Sequence, residues 1–466
     1  MRLAALFGAG LSYLRNKYLH GRIFRAASLS IVAQILSQAI RLGSSLIMTR
    51  LLAPEMFGLM SVVITIQIVL GLLSDFGLRP AIIQSRRGDD PVFLNTVWTI
   101  QVLRGLGTLV ACIIIAGVLY IAAGLAWVKA ESAVASPHLP PVLIAAALTG
   151  FIFSFQSSNY VSASRNLSLR TIIIIDLISQ VAGLLLMIAV GFLTGSIWSI
   201  IAGGLLTAIA STAMSHIYLP GISNRILLNR EAIAEIFSFG IWILLSSALF
   251  VVAANFDRAY LAVAITATSL GVYAIALNMY QAIDGLISRL FDAVVLPALS
   301  EASRTSPEKL REQVRRLKLP FDIWYIGTAG LLYTLAPGII YVLYDDRYHD
   351  AGAFLQILSF GLISVRFNIF NTAYVAIGKP EYWAAINAVK LVAIAILLPL
   401  LFNTYGIAGA IYAVALHPIA TVPLNYWLMR KVGLLDVKYD LLILPVWPAG
   451  YLTGLAFMEL VRNVAG

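Results

Sequence analysis

Charge is scarce in this chain. Only 12% of its 466 residues are Asp, Glu, Lys or Arg, where a soluble domain carries about a quarter. Cysteine is scarcer still: Cys112 stands alone, which excludes a disulfide framework within the chain. Five histidines, His20, His138, His216, His349 and His417, are scattered without ligand spacing. No metal site is expected from them, and no cofactor is expected either. Long polar stretches are also missing, so the excluded classes include ordinary soluble enzymes and disulfide-stapled secreted domains.

What is present is apolar. Hydrophobic residues make up 60% of the chain, and the mean hydropathy is +0.89. A globular core does not hide this much apolar surface, so lipid must be the solvent for most of it. The N-terminal stretch MRLAALFGAGLSYL is followed by Arg15, Lys17, Arg22 and Arg25, where an exported leader would place its cleavage site. Such a cluster holds a segment in the cytoplasm, and residues 1–25 read as an interfacial amphipathic lead-in.

About twenty apolar residues cross a bilayer. On that measure spans are expected near 27–50, 57–78, 92–123, 138–160, 171–193 and 197–219, then near 236–258, 271–293, 320–343, 352–376, 382–403 and 406–428. A Pro- and Gly-interrupted stretch, 439–460, is a weaker thirteenth. With the N-terminus inside, the inward loops hold Arg86, Arg87, Arg165, Arg170, Arg225, Arg230, the basic run from Arg304 to Lys318, Lys379, Arg430 and Lys431. The outward loops hold little beyond Arg50, Lys129 and Arg347. That alternation follows the positive-inside rule and fixes both count and orientation as expectations. The net charge of +10 is thereby a property of topology, and no nucleic-acid partner is expected. The run from Arg304 to Lys318 reads as a solvated amphipathic loop touching anionic lipid.

The chain also repeats itself. GSIWSIIAG (195–203) is answered by GAIYAVALH (409–417), SASRN (162–166) by AIGKP (376–380), and FGLMSV (57–62) by LGVYAI (270–275), all at an offset of 213 or 214 residues. The simplest account is two six-helix halves in the same orientation, 26–219 and 236–430, joined by a basic cytoplasmic linker, 220–235, and followed by a tail, 431–466.

Six basic residues fall inside expected spans: Arg41, Arg104, Arg258, Arg289, Arg366 and Lys390. Each costs roughly 2.5–3.5 kcal/mol at a helix centre on insertion scales, so they must face a cavity or find partners. In the first span Ser30, Gln34, Ser37, Gln38, Arg41, Ser44, Ser45 and Thr49 recur at three- or four-residue steps and share one helical face. That stripe is either a seam glued by small polar residues or one side of a wet cavity with Arg41 at its centre. The eighth span has a stripe of Gln281, Asp284, Ser288 and Asp292 with Arg289 beside it; Arg289 lies near the inner end, where snorkelling is the alternative. Arg366 is accompanied by Asn368, Asn371 and Thr372, and Lys390 by Asn387, both patterns of a hydrated surface. Asp257 and Arg258 are sequence neighbours and do not face each other on a helix. Asp176 is a counter-ion or proton-site candidate. Deep carboxylates are few and deep cations several, which suits an anionic cargo better than a cationic one.

Several stretches carry a resemblance. TRLLAPEMFGLMSV, LLSDFGLRPAIIQ, SASRNLSLRTIIIIDLISQVAGLL, LGVYAIALNMYQAIDGLISRLFDAVVLPALS, and VAIGKPEYW followed by LFNTYGIAGAIYAVAL resemble, in order, the polysaccharide transporter family of the multidrug/oligosaccharidyl-lipid/polysaccharide flippase superfamily. The match runs from about residue 25 to 440. It implies an all-α, polytopic, MATE-like fold with two six-helix lobes around a central cavity, plus one or two extra C-terminal helices. It implies translocation of undecaprenyl-pyrophosphate-linked oligosaccharides across a bacterial inner membrane by alternating access, with polysaccharide polymerase and co-polymerase proteins as partners. Many relatives have fourteen spans, while the tail here supports one clear extra span. On this reading Arg41, Gln34, Gln38, Ser45, Arg104, Arg366, Lys390, Arg289, Gln281 and Asn371 line the cargo site, and Asp284, Asp176 and Asp257 are coupling or counter-ion candidates. A coupled exporter of drugs or small metabolites on the same fold is the rival, and needs a buried carboxylate in a lobe interior. A polysaccharide polymerase or ligase needs a long outward loop with catalytic residues; the longest here, about 124–138, offers no acid–base constellation.

Overall fold

The computed structural model describes residues 22–465 apart from 76, 86, 126 and 167. The lead-in before residue 22 and Arg86 therefore lie outside the described residues, as does the side chain of Asp292. Among the described residues every regular element is a helix. In chain order these are α1 (Arg22–Leu51), α2 (Pro54–Leu73), α3 (Leu78–Gln84), α4 (Pro91–Gly124), α5 (Leu139–Ser154), α6 (Asn159–Arg165), α7 (Leu169–Thr194) and α8 (Trp198–Tyr218). Then come α9 (Arg230–Ala264), α10 (Ala267–Thr305), α11 (Pro307–Leu343), α12 (Ala351–Leu358), α13 (Gly361–Val365), α14 (Asn368–Ala376), α15 (Pro380–Leu416), α16 (Val422–Val432), α17 (Val437–Leu442) and α18 (Val446–Ala465).

Helix boundaries follow ordinary capping chemistry. Thr266 accepts the Ser269 N–H at 3.2 Å to start α10, and Ser306 accepts the Lys309 N–H at 3.2 Å to start α11, with Pro307 in the first turn. The basic run expected as a solvated loop is helical: Arg304 lies in the last turn of α10, and the residues from Pro307 to Lys318 open α11, a 37-residue helix in which Lys318 is buried. Helix propensity and one apolar side drew the segment out of the loop class.

Among the described residues, eight stretches are long and apolar enough to cross a membrane, and the bent pair α5–α6 would make a ninth. One of the eight, Pro380–Val432, has 53 residues. A continuous helix of that length would extend about 80 Å, far beyond the roughly 30 Å of hydrocarbon. Gly406 breaks it with φ 62° and ψ −146°, a conformation that a side chain would strain. The expected eleventh and twelfth spans lie on either side of that break. The tenth expected span is three short helices, α12, α13 and α14. Helices α1, α9 and α10 are also long, at 30, 35 and 39 residues.

The chain forms two compact units. The first comprises Met1–Leu51, Leu73–Gly117 and Pro140–Leu244; the second comprises Leu52–Leu72, Val118–Leu139 and Leu245–Gly466. In the first, Leu78, Ile82, Phe93, Leu94, Val97 and Ile236 pack one core. In the second, Phe291, Val295, Leu299, Ile369, Phe370, Tyr374, Leu428 and Met429 pack another. Helices in lipid lack a hydrophobic drive toward each other, so close backbone approach matters more. Helices α11 and α18 show it: a Cβ on Gly330 would stand 2.1 Å from the Trp447 carbonyl oxygen, and one on Gly450 2.2 Å from that of Gly327. The C-terminal helix is thereby an integral part of the second unit.

Candidate functional site

In the first unit the polar stripe of α1 is in place. Arg41 is exposed, and its Nη2 donates to Gln38 Oε1 at 2.9 Å, one turn earlier. Gln34, Ser37, Gln38, Ser44 and Ser45 are half-buried around it, and Ser44 Oγ donates to the Arg41 carbonyl oxygen at 2.8 Å. Among the described residues no carboxylate pairs with Arg41. The rest of the helix shows Leu29, Val32, Ile35, Leu36 and Ile47 at its surface, side chains suited to lipid. Thr49 closes the stripe as a buried residue, its hydroxyl turned back onto the Leu46 carbonyl.

Arg104 has a partner that sequence reasoning passed over. Its Nη1 lies 3.0 Å from Asp75 Oδ1, both side chains about one third exposed. The same carboxylate accepts the Gly77 N–H at 3.1 Å, so Asp75 also shapes the turn between α2 and α3. The Asp-Phe-Gly turn sequence was the available clue. Asp176 accepts the Tyr160 hydroxyl at 2.7 Å and is half-buried. Arg289, Gln281 and Asp284 share one stretch of α10 in the second unit. Gln281 is exposed, Asp284 accepts the Ser288 hydroxyl at 3.3 Å, and Ser288 in turn meets the Tyr325 hydroxyl at 3.2 Å. Arg289 is half-buried beside them.

Asp257 is buried and accepts the Tyr273 hydroxyl at 2.5 Å. Its neighbour Arg258 turns to Asn255 at 3.2 Å, as expected of adjacent helical residues that face apart. Lys390 is half-buried on α15, without an ion pair or side-chain hydrogen bond among the described residues. His417 lies within electrostatic reach of both Lys390 and Asp257.

Arg366 differs most from its expected surroundings. It is buried and hydrogen-bonded to Asp440, with Asp322 3.9 Å away. Lys318 Nζ completes the group, 2.5 Å from Asp322 and 2.7 Å from Asp440. Two cations and two carboxylates, all buried, neutralise one another, and Lys318 also sits 4.5 Å over the Tyr439 ring. Arg366 thus stands in a closed cluster, not on a hydrated surface. Asn371 is buried too, donating to Asn368 at 3.2 Å. Asp322 and Asp440 were missed because they come from helices distant in sequence; the one local clue was the four-residue spacing of Lys318 and Asp322 on α11.

Two of the motifs meet in the first unit at the ends of α3 and α6. Arg165, from SASRN, donates to the carbonyl oxygens of Ile82 and Ser85 at 2.7 and 2.6 Å, capping the end of α3. Asp90, in the following loop, is held below the usual carboxylate range by the Val92 N–H it accepts and by Arg87. The linker is strapped to the same surface. Asn95, Thr99 and Thr96 accept the N–H groups of Arg225, Leu227 and Asn229 at 2.7, 3.0 and 3.2 Å, and Asn159 holds Ile222 at both its N–H and C=O.

The family model described as "Polysaccharide biosynthesis protein" matches residues 47–353, more than half of the chain. The chain is 23% identical over 397 residues to an uncharacterized membrane protein of the cps region of Klebsiella pneumoniae, covering 83% of this chain and 77% of that one. It is 21% identical over 449 residues to the lipopolysaccharide biosynthesis protein WzxC of Escherichia coli strain K12, covering 94% and 86%. Its fold is similar to that of the lipid II flippase MurJ, inward closed, with TM-score 0.67, 13% identity, and coverage of 93% and 99%. It is equally similar to an inward-facing multidrug resistance MATE family transporter, with TM-score 0.66, 16% identity, and coverage of 85% and 94%. The polytopic helical fold, the ordered motifs and the family match agree: this chain belongs to the polysaccharide biosynthesis protein family and has a MATE-like fold.

Proposed function

We propose that this protein is a flippase that carries an undecaprenyl-pyrophosphate-linked oligosaccharide from the cytoplasmic to the periplasmic leaflet of a bacterial inner membrane. The observation that carries the reading is Arg41: an exposed guanidinium at the centre of a polar stripe, without a carboxylate partner among the described residues. A pyrophosphate headgroup cannot cross hydrocarbon unaided, whereas its polyprenyl tail is at home there. Arginine meets phosphate oxygens with two parallel N–H donors, and Gln34, Gln38 and Ser45 offer hydrogen bonds to sugar hydroxyls. Each negative charge moved outward gains about 2.3 kcal/mol per 100 mV of inside-negative potential.

The other candidate residues divide by their surroundings. Lys390 is the second cargo cation in this reading, and Arg104 contributes once its half-buried pair with Asp75 loosens. Gln281, Asp284 and Arg289 form a further polar stretch toward the cargo. Arg366 and Asn371 serve the architecture of the second unit. Asp176 and Asp257, each taken up by a tyrosine hydroxyl, act as fixed acceptors in this scheme; a coupled exporter would use one of them as its ion site. The protein moves its cargo by rocking of the two halves, without covalent chemistry, and hands it to polymerase and co-polymerase partners. The test is loss of the gene in its host, followed by analysis of lipid-linked sugars. A lipid-linked oligosaccharide should accumulate on the cytoplasmic face and surface polymer should vanish; unchanged polymer with an altered drug-resistance profile would select the exporter.

A further inference from the structure

FGLMSV and LGVYAI, the repeated pair at an offset of 213 residues, touch each other. A Cβ on Gly58, in the first turns of α2, would stand 1.8 Å from the Ala267 carbonyl oxygen and 3.0 Å from the Gly271 nitrogen. A Cβ on Gly271, in the first turns of α10, would stand 1.8 Å from the Pro54 carbonyl oxygen and 3.0 Å from the Gly58 nitrogen. Pro54 and Ala267 are the first residues of their helices and carry the same 213-residue offset as the glycines. The contact is therefore reciprocal, residue for residue, in the manner of a two-fold interface.

A dry layer surrounds it. The Tyr348 hydroxyl donates to the Leu52 carbonyl oxygen at 3.0 Å, Phe57 packs edge-on to the Tyr348 ring at 5.9 Å, and the Ala133 N–H donates to the Ile265 carbonyl at 3.0 Å. Leu52, Tyr348, Ala133 and Leu270 are buried. Leu52, Ala133, Ile265 and Tyr348 come from the four connections α1–α2, α4–α5, α9–α10 and α11–α12, whose scarcity of basic residues assigns them to the outer face. All lie within the second compact unit.

We propose that the Gly58–Gly271 crossing is the outer closure of the transport path, and that α2 and α10 part there in every cycle. The proposal rests on the alternating-access reading given above. Backbone against backbone gives a tight seal with little side-chain interdigitation, held by packing and weak contacts. Such a seal excludes water when shut and costs little to open, which an ion pair or interlocked leucines would not allow.

Accessibility from outside tests this without reference to the cargo. In a Cys112→Ser background, Ser61→Cys places a thiol one turn below Gly58 at a position that is buried in this structure. A membrane-impermeant maleimide applied to intact cells should label it slowly. Gly58→Ala should raise that rate several-fold, Gly271→Ala should raise it as much, and the double variant should add nothing, because one separated crossing cannot separate twice. Gly107→Ala, where no neighbouring atom lies within 4 Å, should leave the rate unchanged. Rates unmoved by either glycine substitution, or moved as much by Gly107→Ala, overturn the proposal. If the alanine variants fail to reach the membrane, Phe57→Cys with Tyr348→Cys can be bridged by a short cleavable bis-methanethiosulfonate. The bridge should stop surface-polymer export and a reductant should restore it; export that continues through the bridge overturns the proposal. Labelling that follows the glycines while Arg41→Ala leaves polymer intact would sink the cargo reading alone.

Discussion

Asp440→Asn isolates the buried charge cluster of the second unit. In the native protein Lys318 and Arg366 face Asp322 and Asp440, and all four side chains are buried. The substitution keeps shape and removes one negative charge, leaving two cations against one carboxylate. Breaking a buried pair by removing one partner costs roughly 3–5 kcal/mol. For a body of this size each kcal/mol moves the melting temperature by about 2–4 °C, so a fall on the order of 6–20 °C is expected. Intrinsic-fluorescence melting of the detergent-purified protein reads it. Arg366→Gln should be damaging for the opposite reason, since two carboxylates then share Lys318. The double variant Arg366→Gln/Asp440→Asn leaves Lys318 and Asp322 as one neutral pair, and should recover most of the loss. Strong positive coupling in that cycle is the expected signature. A melting temperature for Asp440→Asn within 2 °C of the parent, or additive losses in the double variant, would refute the closed cluster.

Three further outcomes can be checked with simpler tools. Arg41→Ala should leave membrane levels near normal but abolish surface polymer, and Arg41→Lys should rescue only in part if two-pronged phosphate contact matters; full rescue would mean that charge alone suffices. Cysteine at Ser37 or Ser44 should react with a water-soluble thiol reagent in the Cys112→Ser background, whereas a packed seam would leave both unlabelled. Asn95→Ala removes the acceptor of the Arg225 N–H and should speed tryptic cleavage after Arg225 several-fold in detergent, a hydrogen bond of this kind contributing about 1 kcal/mol; an unchanged cleavage rate would mean that the strap does not hold the linker.

The fold was legible because lipid imposes long apolar runs. Arg41 and its stripe were readable for a local reason: one helix carries them, and 3.6-residue periodicity sorts its faces. Arg366 was not, because the carboxylate that neutralises it, Asp440, belongs to a tail segment whose role no local pattern announces. Lys318 misled in the same way, sitting at the end of a basic run while its partners lie on its own helix and on α17. Asp75 was hidden as a turn residue. The glycine crossing shows the reverse case, in which a weak sequence repeat turned out to be a physical contact between its two copies.

The most direct measurement uses purified protein in liposomes loaded with undecaprenyl-pyrophosphate-linked oligosaccharide in the inner leaflet and a membrane-impermeant glycosidase outside. Parent protein should make the sugar digestible at a rate that rises with protein amount, and Arg41→Ala should return that rate to the protein-free level. Digestion no faster than in protein-free liposomes, or equally fast with Arg41→Ala, would contradict the assignment of a cationic, phosphate-reading path.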